Sequence, residues 1–365
     1  MTPLQQSTMQ HNTIKMWNHL YRGLTGIVLA IALIGCPGCS PDVNNTMPDN
    51  VEMVSVWQYL KKYSIYQDRI KDSPFLYSDP AAMFNEIADT LHNVLYTSYV
   101  DSELEYTDKP YKKTNRIQGN SSVKVDVFPL TDSVCLLQIK SFMNGWEYVD
   151  GSWVYVDVYK EFTNTFSEIN KYSAVVVDLR NNGGGDLEVT DLIIEDMLPA
   201  GISYLRSKER TISRETARTV DSVWMTKRAA RSEFANKKFA VLIDEHSASA
   251  SEVLLLALKD GIRAPVFGMK SYGKGIGQIH LTRRDRPWMR ISFVHFYQLD
   301  GTDYHRVGIS PDIQTARDST IFYAVKTLQP SVQNEQINYP SLKKYLPHDT
   351  VGGMYKIVDE RDLTE

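Results

Sequence analysis

The chain has 365 residues, 42% hydrophobic and 23% charged, a balance that can bury one large domain or two modest ones and excludes a disordered chain. A formal net charge of −4 leaves no basic footprint for nucleic acid. Three cysteines are too few for a disulfide scaffold, and no paired CxxC or HExxH segment marks a metal site.

At the start of the chain, Lys15, His19 and Arg22 precede GLTGIVLAIALIG, residues 23–35, an apolar run of signal-peptide length that is too short to span a bilayer. It ends in Leu33-Ile34-Gly35-Cys36, which resembles a bacterial lipoprotein box with Cys36 as the acylated residue. An ordinary signal peptide or short anchor is the competing reading. Cys39 fits less well, because Pro37 and Cys36 precede its Gly38. The expectation is a signal peptide over 1–35, with Met9 and Met16 as alternative initiators, and a polar tether over 36–50. The mature protein would then lie outside the cytoplasm, held to a membrane only through lipid at Cys36.

Residues 51–112 read as a small helical domain. Val54, Trp57, Leu60 and Tyr63 recur at spacings of three, and Met83, Ile87, Leu91 and Leu95 at four, as on one face of a helix. Asp79-Pro80 marks the second start, with Asp79 as cap. Residues 106–122 are polar and read as a linker or exposed loop. The pattern then changes to strands at Val123–Val127 and Ser133–Phe142, a helix over 153–170, and a doubly buried strand at 174–179, AVVVDL. A glycine loop, Arg180 to Asp186, leads into a helix ending near Leu198. Strand, glycine loop and helix in series indicate an α/β catalytic core over 113–330. Residues 202–235 suggest a strand followed by an Arg-rich flap at 208–235. A buried strand, Phe239–Ile243, runs into the serine turn. Two antiparallel strands and a last helix, Ser319–Leu328, precede a polar tail, 331–365, without a core pattern.

The chemistry concentrates in HSASASEVLLLALKDGIRAPVFGMKSYGKGIGQ, residues 246–278. Ser249-x-x-Glu252 spells a helix capping box. The same serine also stands at a strand-to-helix junction, where α/β sheets carry reactive groups, and Ala248 and Ala250 leave room around it. A serine nucleophile needs a base, and a buried lysine can be one. Gly268-x-x-x-x-Gly273-Lys274 approaches a phosphate-binding loop, but Gly275 follows in place of Ser or Thr and a strand replaces the helix. Gly183 to Gly185 lack dinucleotide spacing; they make a tight turn that can also present main-chain donors to an anion. Asp178 and Arg180 can brace that loop. Histidines 246, 295 and 305 sit in no context that marks a general base, and no GxSxG elbow occurs.

VVVDLRNNGGG at 175–185, SASASE at 247–252, YGKGIGQ at 272–278 and GISPDI at 308–313 together resemble the signature blocks of the tail-specific, or carboxy-terminal processing, serine proteases. The resemblance covers roughly residues 130–315. It implies Ser249 as nucleophile, Lys274 as general base and Gln278 as the residue orienting that base. The implied oxyanion hole is the Ala250 amide with Gly184 or Gly185, and Glu252, Asp260 and Ser271 fall on supporting positions. It implies a ββα core similar to crotonases and Clp proteases, polypeptide substrates and no cofactor. Most members carry a PDZ domain before the core. Here about residues 106–130 occupy that place, too few for one, so the layout resembles the PDZ-less branch that includes relatives of interphotoreceptor retinoid-binding protein. The expected function is an extracytoplasmic serine endopeptidase. The alternative is a peptide- or lipophile-binding protein that keeps the fold without turnover. Nothing in the sequence assigns an oligomeric state.

Overall fold

The computed structural model describes residues 49–88, 90–91, 94–95, 98–99, 123–149, 152–212, 217–283, 286–339 and 355–359. Cys36, its leader and tether, and the linker at 106–122 lie outside the described residues.

The N-terminal part begins with helix α1 (Asp49–Tyr63) and helix α2 (Pro80–Glu86). Asp79 caps α2 as expected, accepting from Ala82 N at 2.8 Å with Pro80 in the first turn. The buried stripe of α1 is Met53, Val56, Leu60 and Tyr63; Val54 and Trp57 are only partly buried, so the stripe is rotated from the one the spacing suggested. The expected long second helix does not form. Ile87 ends it, and Thr90–Leu91 (β1), Val94–Leu95 (β2) and Ser98–Tyr99 (β3) are short strands. The reason is tertiary: β3 is drawn into pairing with a later strand, Tyr99 opposite Met289, a partner that helical periodicity cannot reveal.

The central sheet is built from β4 (Val125–Pro129), β5 (Val134–Ile139), β8 (Ala174–Asp178), β11 (Lys238–Ile243), β12 (Val266–Gly268) and β15 (Ile313–Gln314), after the hairpin β6 (Gly145–Val149) and β7 (Ser152–Val156). Its order is β15-β12-β11-β8-β5-β4, parallel except for the β4–β5 hairpin. Alternate residues of β8 feed two cores. Val175 and Val177 join one beneath helix α5 (Leu187–Met197) and helix α6 (Ala250–Leu256), while Ala174 and Val176 join the other beneath helix α7 (Thr320–Leu328). Each fully buried valine of this kind stabilises by roughly 1.5–3 kcal/mol. The expected helix over 153–170 is divided: its first residues are β7, and helix α3 (Val158–Asn164) begins only after Asp157, whose side chain caps it, with helix α4 (Phe166–Ile169) following.

A second sheet has the order β10-β9-β14-β13-β16, with β3 also on β14; its strands are β9 (Ser203–Ile212), β10 (Ala217–Met225), β13 (Ile276–Arg283), β14 (Arg286–Tyr297) and β16 (Tyr355–Asp359). This corrects two expectations. Within the expected flap, residues 208–212 and 217–225 are strand: β9 and β10 pair in register, and Arg210 donates to the carbonyls of Lys61 (3.0 Å) and Lys62 (3.2 Å) on α1. The tail also contributes, because β16 runs parallel to β13. Ile279, Leu281, Met289 and Ile291 of this sheet share one apolar cluster with α1 and α2. The fold is a mixed α/β core with a small helical N-terminal region.

Candidate active site

β8 and β11 are adjacent and parallel, with Leu242 opposite Asp178, so the segments that follow them emerge at the same carboxyl edge of the sheet. After β8 comes the glycine loop; after β11 comes the serine turn. Asp178 and Arg180 brace the first of these by pairing with each other: Arg180 Nε and Nη2 donate to the two carboxylate oxygens at 2.8 and 2.7 Å, both side chains buried. Such a forked pair fixes orientation as well as energy.

The three serines are not equivalent. Ser247 Oγ donates to Leu179 O (2.8 Å) and Ser251 Oγ to Asn182 O (2.7 Å), so both pin the serine turn to the glycine loop. Ser249 sits between them, fully buried, at φ 62° and ψ −118°. A non-glycine residue held there stores on the order of 1–3 kcal/mol of strain, as reactive turn residues do.

Gly184 packs straight against that turn. A Cβ at this position would stand 2.7 Å from Ala248 O, 2.8 Å from Ser249 Cβ and 3.0 Å from Ala250 N, and its φ of +98° already favours glycine. Its own N–H donates to Asn182 Oδ1 at 2.9 Å. Gly185 forms a parallel bridge with Phe142, in which Phe142 makes both hydrogen bonds, to Gly184 O (3.0 Å) and from Asp186 N (3.1 Å). The N–H groups of Gly185 and Ala250 have no acceptor among the described residues.

Glu252 joins the serine turn to the lysine turn. Its carboxylate is completely buried; Oε2 accepts from Ser249 N (2.8 Å) and Lys274 N (2.8 Å), and Oε1 from Ser271 Oγ (2.6 Å) and Gly273 N (2.7 Å). Burial pushes this carboxyl upward from its ordinary range, and the four donors pull it back. The Glu252 arm of the capping box is therefore real, but the same carboxylate also clamps the lysine turn. Lys274 is fully buried, and its Nζ donates to Gln278 Oε1 at 3.0 Å. Gln278 Nε2 in turn reaches Ser292 Oγ on β14 at 3.4 Å. Asp260 is directed elsewhere, accepting from Leu299 N at 3.3 Å.

Sequence reasoning missed a second set of supports. Asp244 accepts from Asn181 N, His246 N and Arg317 Nη2 at 3.0, 3.0 and 2.5 Å, and Asn182 Nδ2 donates to Ile139 O at 2.8 Å. Polar residues in a turn carry no sign of which distant chain they will hold, so only Asp244's place at the end of a strand hinted at it. His246 remains at the surface, its side chain 46% exposed. Among the described residues no group of His, Cys, Asp and Glu is arranged to hold a metal ion.

The profile of peptidase family S41 matches residues 133–315, the segment that carries every residue just described except Arg317. A Staphylococcus haemolyticus protein named "Probable CtpA-like serine protease" is 30% identical over 143 residues, 39% of this chain and 27% of that protein. A Staphylococcus aureus protein of the same name is 30% identical over 139 residues, 38% of this chain and 26% of its own length. The match thus spans about a quarter of the curated relatives. Among solved structures, a lipoprotein from Streptococcus agalactiae superposes with a TM-score of 0.52 at 13% identity, over 80% of this chain and 100% of that one. A photosystem II D1 C-terminal processing protease gives a TM-score of 0.42 at 20% identity, over 56% of this chain and 52% of that one.

Proposed function

We propose, from the premise that this chain belongs to peptidase family S41, that it hydrolyses peptide bonds with Ser249 as nucleophile and Lys274 as general base. The observation that carries the reading is the shared oxygen of Glu252: Ser249 N and Lys274 N both donate to Oε2 at 2.8 Å, so the two turns are locked side by side. Complete burial of Lys274 favours the neutral amine, the form able to take a proton, and Gln278 Oε1 directs its Nζ.

In this mechanism Lys274 Nζ accepts the Ser249 Oγ proton as Oγ attacks the substrate carbonyl carbon. The oxyanion is held by the Ala250 N–H and a glycine-loop N–H, each such donor lowering the barrier by around 3 kcal/mol. With Gly184 N–H occupied by Asn182, the loop donor is Gly185, unless substrate draws Gly184 away. The C–N bond breaks with Lys274 returning the proton to the leaving amine. Water, deprotonated by the same lysine, then attacks the acyl carbon; the C–Oγ bond breaks, Lys274 returns the proton to Ser249 Oγ, and the acid product leaves. The Leu33–Cys36 segment supports an extracytoplasmic enzyme tethered by acyl chains at Cys36.

An acylating active-site probe tests the assignment. Labelling and peptide cleavage should both vanish in Ser249→Ala and in Lys274→Ala while the circular dichroism spectrum is retained. Cleavage by Lys274→Ala at the wild-type rate would remove the lysine from the mechanism.

A further inference from the structure

We infer that Ser292 is a positioning residue for the reaction proposed above. Its hydroxyl takes the Nε2 end of Gln278, so that Oε1 and not Nε2 is turned to the amine of Lys274. The inference rests on the Ser249–Lys274 reading.

A slip in strand pairing puts the two side chains together. Along the antiparallel pair β13–β14, Gly277 stands opposite Val294, but Gln278 stands opposite Ser292. Phe293 is the extra residue, a bulge of the kind that re-aims a side chain. In an unbroken ladder Phe293 would face Gln278, and Ser292 would face Ile279. Ile279 and Ile291 point into the cluster shared with α1 and α2. Gln278 and Ser292, one step along each strand, therefore point to the other face, where Lys274 lies. Gly277 allows the close approach at the bulge, since a Cβ there would stand 2.7 Å from Val294 Cγ1. From the N-terminal region, Ile65 N donates to Ser292 O at 2.8 Å and ties the bulge down. Ser292 and Gln278 are both buried.

The chemistry turns on which end of the amide meets the lysine. A glutamine amide carries an acceptor at one tip and a donor at the other, in nearly the same shape. Lys274 Nζ donates to Gln278 Oε1 at 3.0 Å, and Gln278 Nε2 donates to Ser292 Oγ at 3.4 Å. Nε2 has no other acceptor among the described residues. A neutral amine has a single lone pair, which a general base must keep for the proton it abstracts. Oε1 takes an N–H of that amine and leaves the lone pair for the Ser249 proton. Nε2 in the same place would donate to the lone pair and occupy it. With Ser292 cut back to alanine, Nε2 becomes a buried donor without a partner, a costlier state than a buried oxygen in that condition. The amide then turns over and gives its donor to the lysine. Ser292 supplies the acceptor that holds the donor end away from the base.

The test compares the full chain with Ser292→Ala and Ser292→Thr. The probe is p-nitrophenyl acetate, read as the hydrolysis that remains after the Ser249→Ala rate is subtracted. Ser292→Ala should lower kcat about tenfold with KM within about twofold, because contacts to the bound ester are untouched. Ser292→Thr keeps the hydroxyl and should stay within about threefold of the parent kcat. In 15N–1H spectra the Gln278 side-chain amide, identified by its loss in Gln278→Met, should shift in Ser292→Ala and keep its place in Ser292→Thr. A Gln278 amide that does not respond to Ser292→Ala, or a kcat that stays at the parent value, overturns the inference. An amide that responds in a chain that hydrolyses neither the ester nor casein through Ser249 overturns the peptidase reading instead, and supports the hold of Ser292 on Gln278.

Discussion

Glu252→Gln is the most informative single change. The side chain keeps its shape, but one oxygen becomes an NH2 group. In the native site each carboxylate oxygen accepts two hydrogen bonds, from Ser271 Oγ and Gly273 N on one side and from Ser249 N and Lys274 N on the other. Glutamine can serve one side only. With its oxygen toward Ser249 and Lys274, the NH2 group faces Gly273 N–H and a Ser271 hydroxyl that already accepts from Ile309 N at 2.7 Å. At least one buried donor is left unpaired, and a charge-assisted set becomes neutral. An unpaired buried donor costs about 1–3 kcal/mol and each charge-assisted bond about 1.5–3 kcal/mol, so a loss of roughly 3–5 kcal/mol is expected. Urea unfolding at neutral pH measures it through the midpoint at constant slope. Acyl-probe labelling should fall as well, because the turns that hold Ser249 and Lys274 lose their common anchor. Glu252→Gln unfolding within about 1 kcal/mol of the parent would refute the reasoning, since it would mean that burial keeps the native group protonated and that glutamine mimics it.

Lys274→Met removes the amine at nearly constant volume. It should abolish labelling while leaving stability within about 1 kcal/mol, because the Gln278 bond is exchanged for relief from burying a polar amine; a large drop in melting temperature would contradict this. Gly184→Ala should cost about 1–3 kcal/mol in denaturant unfolding, combining a positive φ with a Cβ 2.7 Å from Ala248 O. His280 lies partly buried on β13, its pKa lowered from 6.5 to about 4 by burial and then by Arg290 and Lys274. A lowered folded pKa means that its contribution is present above pH 6.5 and lost as pH falls toward 4, up to ~3 kcal/mol. Comparing urea midpoints between pH 7 and pH 4 for the parent and His280→Asn checks it, the variant showing the shallower decline.

The blocks proposed to form the active site were legible in the sequence because what they require is local. Gly184 needs a positive φ, and Ser249 must follow a buried strand; Lys274 and Gln278 are four residues apart on one segment. Residues 174–178 announced a doubly buried strand by unbroken apolar character, and Asp79-Pro80 announced a cap. The elements that went astray were those whose state depends on a distant partner. Ser98–Tyr99 closes a stretch of helical spacing yet pairs with β14, β6 and β7 pair as a hairpin held by Lys124 where a helix was expected from 153, and β9–β10 is fixed by α1 carbonyls through Arg210.

Sequence alone therefore singled out the residues proposed to carry the chemistry, since the turn that each requires is written within a few positions of it. Only the tertiary structure decided how they are held. Glu252 reads as a helix cap in the sequence and becomes the clamp between two turns because chain folding brings Ser271, Gly273 and Lys274 to its oxygens. A buried carboxylate must find its donors wherever the fold supplies them, and local sequence does not encode that geometry.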